Sequence, residues 1–388
     1  MIDRRRFLLG ACAAAAAANC GAEPAKRRAA VIGHTGRGGY GHGMDLVFAG
    51  HEGIEVVAVA DADAKGLAAA VKRCRAGRGY ADFREMLEKE RPTLVSIGPR
   101  MTAERREMLL GALEAGAHVI CEKPFVRTPE DGDEVLALAE KMGLKIAVAH
   151  QMRLAPAVVH LKKKMDAGLI GDLLEMRAWG KQDQRAGGED LLVLGVHVFD
   201  LMRLFAGEPK WCSARVMQEG REAKAADWRL PGEEIGPVLG DEIEAQFAFD
   251  KGVWGSFTSR AKLRDVSGHW GLELVGNKGT ARILADIWPS VLVSGLGKWS
   301  EEGRTDQWRS LDDDPSAKAT PPQREVAPAN ARVADDWLAA IEENREPACS
   351  GRNGAKAVEM VMGVWRAGLT AGRVEFPLKE RGHALIKA

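Results

Sequence analysis

The sequence predicts an α/β protein of two domains. A parallel sheet covered on both faces by helices comes first, and a larger, mainly antiparallel sheet with helices on one side follows. Three observations predict this. Residues 28–150 alternate short unbroken apolar runs with helical patterns, the signature of strands buried on both faces. Beyond residue 150 the apolar runs are joined by hairpin signals instead. The chain has 388 residues, 46% hydrophobic and 28% charged, which is ample material for two cores.

The same composition excludes two classes. A mainly disordered chain lacks this much apolar material. A surface that tracks nucleic-acid backbones needs an excess of cations, and here 55 Lys and Arg balance 55 Asp and Glu. Six of those cations but only two of the acids lie in residues 1–28, so the rest of the chain is mildly acidic. Met1 to Ala22 reads as a signal peptide. Asp3-Arg4-Arg5-Arg6-Phe7-Leu8-Leu9 precedes an apolar stretch of about fifteen residues, too short for a membrane span. Arg-Arg-x-Phe-Leu resembles the twin-arginine export signal, which implies a periplasmic protein. Cys20, after Ala-Ala-Asn, is the alternative, a lipid-attachment site. No later segment is apolar for long enough to span a bilayer.

The first domain is assigned to residues 29–150, after a leader and linker at 1–28. Its strands are Ala29–Ile32, Ile54–Ala60, Thr93–Ile97, Ala117–Cys121 and Lys145–Ala149. Helical patterns cover 81–90, 102–115 and 129–142. The last has a legible start, with Thr128 as N-cap, Pro129 at the first position and Asp131 three after the cap. Gly143 ends it.

The first strand runs into Gly33-His34-Thr35-Gly36-Arg37-Gly38. A G-x-G-x-x-G turn lets backbone N–H groups and a helix N-terminus approach a pyrophosphate. Thr35 stands at the middle glycine. The second strand ends in Asp61, further on than the usual ~20 residues. Its carboxylate can accept ribose hydroxyls and would repel a 2′-phosphate, so NAD is favoured over NADP. Gly33, Thr35, Gly36, Arg37, Gly38 and Asp61 are therefore the candidate cofactor residues of a Rossmann domain.

His118-Val119-Ile120-Cys121-Glu122-Lys123-Pro124 closes another strand, and ligands of open α/β sheets bind beyond such carboxyl ends. With the glycine turn and Asp61, the Glu122-Lys123-Pro124 element resembles the Gfo/Idh/MocA oxidoreductases, the relatives of glucose–fructose oxidoreductase and inositol dehydrogenase. The resemblance covers most of the chain after residue 28. It implies a Rossmann domain followed by an α/β domain whose open sheet often mediates homo-oligomers, and nicotinamide-dependent oxidation or reduction of a sugar or polyol. Lys123 would contact the substrate hydroxyl and the nicotinamide ribose, and Glu122 would help hold the cofactor.

A second family element spans Gly187 to His197. Relatives carry an aspartate four residues before the histidine, and the pair flanks the reacting carbon. His197 matches the histidine, but Val193 stands at the aspartate and cannot accept a proton. A histidine ordinarily titrates near neutral pH, so His197 is a candidate proton acceptor, with Lys123 orienting the same oxygen. Either can hold the proton at this stage. The alternative for His197 is a helix histidine bonded to Asp200. Asp190, Arg153 after the last Rossmann strand, and Arg100 after Gly98-Pro99 are the candidate substrate contacts. Relatives commonly have asparagine where this chain has Arg100.

The second domain, 151–388, opens with a helix from Pro156 to near Gly168. Strands follow at 172–180, 211–218, 241–249, 252–260, 270–275 and 280–284. Asp250-Lys251-Gly252 and Asn277-Lys278-Gly279 mark hairpins. Residues 296–330 read as a long loop, and helices at 331–344 and 354–371 close the chain. All ten tryptophans lie between Trp179 and Trp365, suited to sugar stacking, a sheet interface or core; Trp228 and Trp308 lie in polar stretches. Cys74, Cys121, Cys212 and Cys349 form no metal-site spacing, and no metal is expected.

Three readings follow. The first is an NAD-dependent sugar or polyol oxidoreductase, which after export would keep and recycle its cofactor. The second is an NAD-assisted glycosidase or lyase acting through a transient keto sugar. The third is a non-catalytic sugar-binding or scaffold protein.

Overall fold

The computed structural model describes residues 26–232, 235–261, 270–295, 299–300, 303–304, 308–311 and 326–386. The leader, Cys20 and most of the stretch read as a loop at 296–330 lie outside them. Among the described residues no helix is long and apolar enough to cross a membrane.

The first domain contains β1 (Arg27–Ile32), β2 (Ile54–Ala60), α1 (Ala64–Cys74), β3 (Arg78–Tyr80), α2 (Phe83–Glu90), β4 (Leu94–Ile97), α3 (Arg105–Glu114), β5 (His118–Cys121), α4 (Pro129–Met142) and β6 (Ile146–Val148). The sheet is parallel throughout, ordered β3-β2-β1-β4-β5-β6. The order reverses between β1 and β4, the place where such sheets open a crevice at the strand ends. β1 starts inside the segment assigned to the linker, because Arg28 pairs with the buried Glu90. The start of α4 is as expected: Thr128 and Asp131 form a reciprocal capping box, and Gly143 is left-handed.

One expectation fails. No α-helix follows the glycine turn; Met44–Leu46 makes a single 3-10 turn. Gly36, Gly38, Gly39, Gly41 and Gly43 all have positive φ, and a helix cannot propagate through them.

In the second domain α5 (Pro156–Asp166) leads to β7 (Leu173–Trp179), the short α6 (Gly188–Asp190), a π-helical turn at Leu191–Gly195 and α7 (Val196–Ala206). Then come β8 (Trp211–Gln218), β9 (Arg221–Glu222), β10 (Glu242–Ala248), β11 (Trp254–Arg260), β12 (Trp270–Gly276), β13 (Gly279–Ala285) and β14 (Ser290–Gly295). β15 (Trp299–Ser300), β16 (Gly303–Arg304) and β17 (Arg309–Ser310) interrupt the expected loop. α8 (Val326–Glu342) begins earlier than expected, and α9 (Gly351–Thr370) and β18 (Val374–Glu375) complete the chain. The large sheet runs β17-β14-β13-β12-β7-β11-β10-β8-β18, antiparallel except for β7 beside β11.

α7 and α9 cover one face of this sheet, where Phe199 meets Phe247 and Phe257 edge to face. The other face is open and carries charge ladders such as Arg282–Glu273–Arg177, with Trp254 about half exposed. Trp308 lies under the Arg282 guanidinium. The closing helices pack back onto the first domain. The Trp337 indole of α8 is buried and donates to the Lys145 carbonyl, and α9 packs along α4. That packing places the end of β7 and the start of α7 over the strand ends of the first sheet.

Candidate active site

A cavity of about 720 Å³, part of it open solvent, lies where the two domains meet. Glu122 and Lys123 enter it from the end of β5, and His197 from α7. The Lys123–Pro124 bond is cis. Arg105, fully buried, donates to the carbonyls of Glu122, Pro124 and Pro99, so one guanidinium ties the ends of β4 and β5 together.

Glu122 is fully buried and its charge is compensated. One oxygen accepts the backbone N–H and the Nδ1–H of His42, each at 2.6 Å, and the other accepts the Lys123 backbone N–H at 2.9 Å. Burial alone would raise its pKa; His42, with a smaller contribution from Lys123, outweighs burial and holds it down at about 2. Gly41 makes this contact possible. A Cβ there would stand 2.3 Å from Glu122 Cγ, and φ is +59°. Lys123 Nζ donates to the carbonyl of Val193 at 3.3 Å, so the position expected to hold an aspartate meets the lysine through its backbone.

His197 is neutral at physiological pH. Burial first, then the charge of Lys123, hold its pKa well below the usual value. Its Nδ1 is buried without a hydrogen-bond partner among the described residues, and its ring lies 5.8 Å from Trp270 and 5.4 Å from His150. The alternative bond to Asp200 is not made. Asp200 is held instead by Arg153 at 2.7 and 2.9 Å, with His150 Nδ1 at 3.6 Å.

Two expected substrate contacts are therefore internal braces. Arg153 does not line the cavity because its fork is spent on buried Asp200. Asp190 does not line it either. Its carboxylate turns away to accept Ser259 Oγ at 2.7 Å and Gln182 N at 3.0 Å. Arg100 does line the cavity, beside the glycine turn: a Cβ on Gly38 would be 2.5 Å from its backbone nitrogen. His42, Lys181, Trp270 and Asn330 line it too and carried no local sequence signal, apart from the glycines on both sides of His42.

A second cavity of about 800 Å³ adjoins the ends of β1, β2 and β3 and is lined by Gly33, Asp61, Ala81, Phe83 and Met108, among others. The two cavities at strand ends, one with an apolar slot and an acid, fit the two ends of a dinucleotide. The cradle between them fits as well, since nothing lies within 4 Å of a Cβ built on Gly36 or Gly39. Asp61 is already engaged. Thr35 N and Oγ1, Tyr40 OH and Asp63 N donate to it, and these donors, against burial, keep it ionised. A ribose hydroxyl must replace one of those hydroxyls. Arg37 pairs with Glu104 at the rim of the second cavity rather than lying along the turn.

Comparison with known proteins agrees with this layout. Residues 27–150 match the family model described as the oxidoreductase family with an NAD-binding Rossmann fold, and residues 162–376 match its C-terminal alpha/beta domain. D-apiose dehydrogenase of Paraburkholderia graminis is 26% identical over 324 residues, 80% of each chain. Levoglucosan dehydrogenase of Pseudarthrobacter phenanthrenivorans is 26% identical over 246 residues, 57% of this chain and 63% of that one. A solved levoglucosan dehydrogenase in complex with NADH and levoglucosan has the same fold, with a TM-score of 0.74 at 21% identity, covering 91% of this chain and 100% of the other.

Proposed function

Since the chain belongs to the Gfo/Idh/MocA oxidoreductase family, we propose that it is an NAD-dependent dehydrogenase moving hydride to or from a hydroxyl-bearing carbon of a sugar or polyol. One observation carries this reading: Lys123 of the first domain and His197 of the second line one cavity at the strand ends. The sugar dehydrogenases among the similar proteins support the substrate class. The ionised Asp61 supports NAD over NADP, because a 2′-phosphate would meet a negative charge.

When bound, the nicotinamide supplies the hydride acceptor. The chain's own residues handle the proton and the oxygen. The Lys123 ammonium orients the substrate hydroxyl and stabilises negative charge developing on its oxygen. In this reading neutral His197 takes the hydroxyl proton, which its lowered pKa supports over Lys123. Glu122 stays ionised, and with His42 it holds the glycine turn against the end of β5. Trp270 walls the His197 side of the cavity.

The leader supports export by the twin-arginine route with the cofactor loaded beforehand. The open face of the large sheet supports a homo-oligomer formed through it. The test of the central reading is NADH formation, read at 340 nm, when the purified protein and NAD meet a panel of monosaccharides, polyols and sugar acids. No reduction with any of them at stoichiometric enzyme refutes it.

A further inference from the structure

The described residues around the cavity carry an excess of positive charge. Arg100, Lys123, Lys181 and Arg185 line it against two carboxylates, Glu122 and Asp286, with Arg185 already paired to the buried Asp183. Glu122 is spent on His42 and the Lys123 backbone. Asp286 is exposed and accepts the Ile287 N–H. The cations divide by domain. Arg100 stands beside the glycine turn, and Lys123 at the end of β5 is assigned above to the substrate hydroxyl. Lys181 and Arg185 come from the second domain, on the segment that leaves β7.

That segment is built to present them. Gln182 is left-handed at φ 60° though it is not glycine, a conformation that persists only where the surroundings enforce it. Its N–H donates to the buried Asp190 carboxylate, and Ser259 Oγ donates to the same oxygen. Ser259 Oγ in turn accepts the Gly187 N–H, closing the far end of the segment. Gly180 presses so closely on Asp190 that a Cβ would be 2.2 Å from Oδ2. Asp183 folds Arg185 back through its backbone N–H and its guanidinium. Lys181, between Gly180 and Gln182, makes no ion pair with a described residue while lining the cavity. A brace of buried polar groups that fixes one turn and sets an ammonium in a concave site is what an oxyanion ligand requires.

We propose that the substrate of this site is an anionic sugar, whose oxyanion group, a carboxylate or a phosphate, is seated by Lys181 with Arg185 beside it. This rests on the dehydrogenase reading above and names the substrate class within it. Asp190 is then a positioning residue for the Lys181 turn.

The test is equilibrium binding by calorimetry to NAD-saturated full-length protein. D-glucuronate, D-galacturonate and D-gluconate are compared with D-glucose and D-galactose, and D-glucose 6-phosphate forms a separate arm. At least one acid or the phosphate is expected to bind about tenfold or more tightly than its neutral parent, the scale of one charge-assisted hydrogen bond. The preferred arm identifies the group. Lys181→Gln should remove that preference, weakening the acid or phosphate about tenfold more than its neutral parent, while Lys181→Arg should keep most of it. Anions binding no more tightly than their parents overturn the proposal, as does a preference that survives Lys181→Gln. NAD reduction in the same samples separates the two readings. Efficient turnover of neutral sugars alone sinks the anionic substrate only, whereas Lys181-dependent binding of acids with no reduction of NAD sinks the dehydrogenase and leaves the charge selectivity standing.

Discussion

The Nζ of Lys123 reaches the main-chain carbonyl of Val193 at 3.3 Å. The contact crosses from the end of β5 to the π-helical turn that precedes α7. π-turns offset the helical register by one residue and gather at functional sites. Here the turn lies between Asp190, which is anchored to Ser259, and His197, which faces the cavity. The relatives' aspartate would place a side-chain acceptor beside the lysine; this chain offers a peptide oxygen, which bonds the ammonium without being able to take a proton. In the proposed mechanism the proton is assigned to His197.

Lys123→Met should accordingly lower turnover by about 10²–10⁴, the range of a positioned proton-handling or charge-stabilising group. Dinucleotide affinity should change little, because the glycine turn is held by Glu122 and His42. Single-turnover NADH formation and a separate NAD titration measure the two effects. A variant that turns over normally would remove Lys123 from the chemistry.

The acid limb of kcat/KM should lie well below pH 6.5. Burial and the Lys123 charge disfavour protonated His197, so the base stays neutral as the pH falls through the range where an ordinary histidine titrates. Val193→Asp introduces a carboxylate into the same cavity and should move the limb upward, since an added negative charge favours the imidazolium. A wild-type limb at or above 6.5, or a downward move in the variant, contradicts the assignment.

Thr35→Gly should tighten NAD binding about tenfold. Thr35 Oγ1 sits 2.7 Å from Asp61 Oδ2 and occupies an acceptor site that a ribose hydroxyl needs. Removing it also restores the close backbone approach that glycine permits at this position. Fluorescence titration with NADH reads the change. Weaker binding would mean that Thr35 itself holds the dinucleotide.

Asp200→Asn should cost about 3–5 kcal/mol in urea unfolding, because it leaves the Arg153 guanidinium uncompensated in a nearly water-free setting. Burial would raise the Asp200 pKa, but His150 and Arg153 outweigh it and push it far down. Its contribution is thus complete at neutral pH and is lost only as the pH falls below the unfolded carboxylate value of about 3.9. A loss under about 1 kcal/mol would mean that Arg153 finds water or another partner.

Legibility along the chain follows locality. Five strands of the first sheet were readable because they are unbroken apolar runs, and α4 because Thr128, Pro129 and Asp131 signal within one turn; the edge strand β3, Arg78-Gly79-Tyr80, has no such run and was missed. Glu122, Lys123 and His197 were readable because their neighbours carry a pattern. Asp190 and Arg153 were read as substrate contacts because what occupies them, Ser259 and Asp200, is distant in sequence and only the fold brings it near. His42 went unnoticed for the same reason: its partner Glu122 lies four strands of chain away. The missing helix after β1 was hidden by a motif that directs attention to three glycines when five with positive φ occupy the turn.

Acid should weaken the fold well before the carboxylates titrate, and His383 is a main cause. Burial first, then the charges of Arg127 and Arg366, lower its pKa to about 4. The neutral ring stacks on Trp365, and its Nδ1 accepts the Leu385 N–H at 3.1 Å, a bond that protonation abolishes. The unfolded histidine titrates at about 6.5 and so binds a proton before the folded one does. Stability is therefore complete above pH 6.5 and declines as the pH falls toward 4, with buried His197 acting in the same direction. His383→Asn keeps an acceptor for Leu385 and cannot be charged. It should be somewhat less stable at pH 7 through lost packing on Trp365, yet its urea midpoint should fall less steeply between pH 6.5 and 4. Parallel slopes for variant and parent would place the acid sensitivity elsewhere.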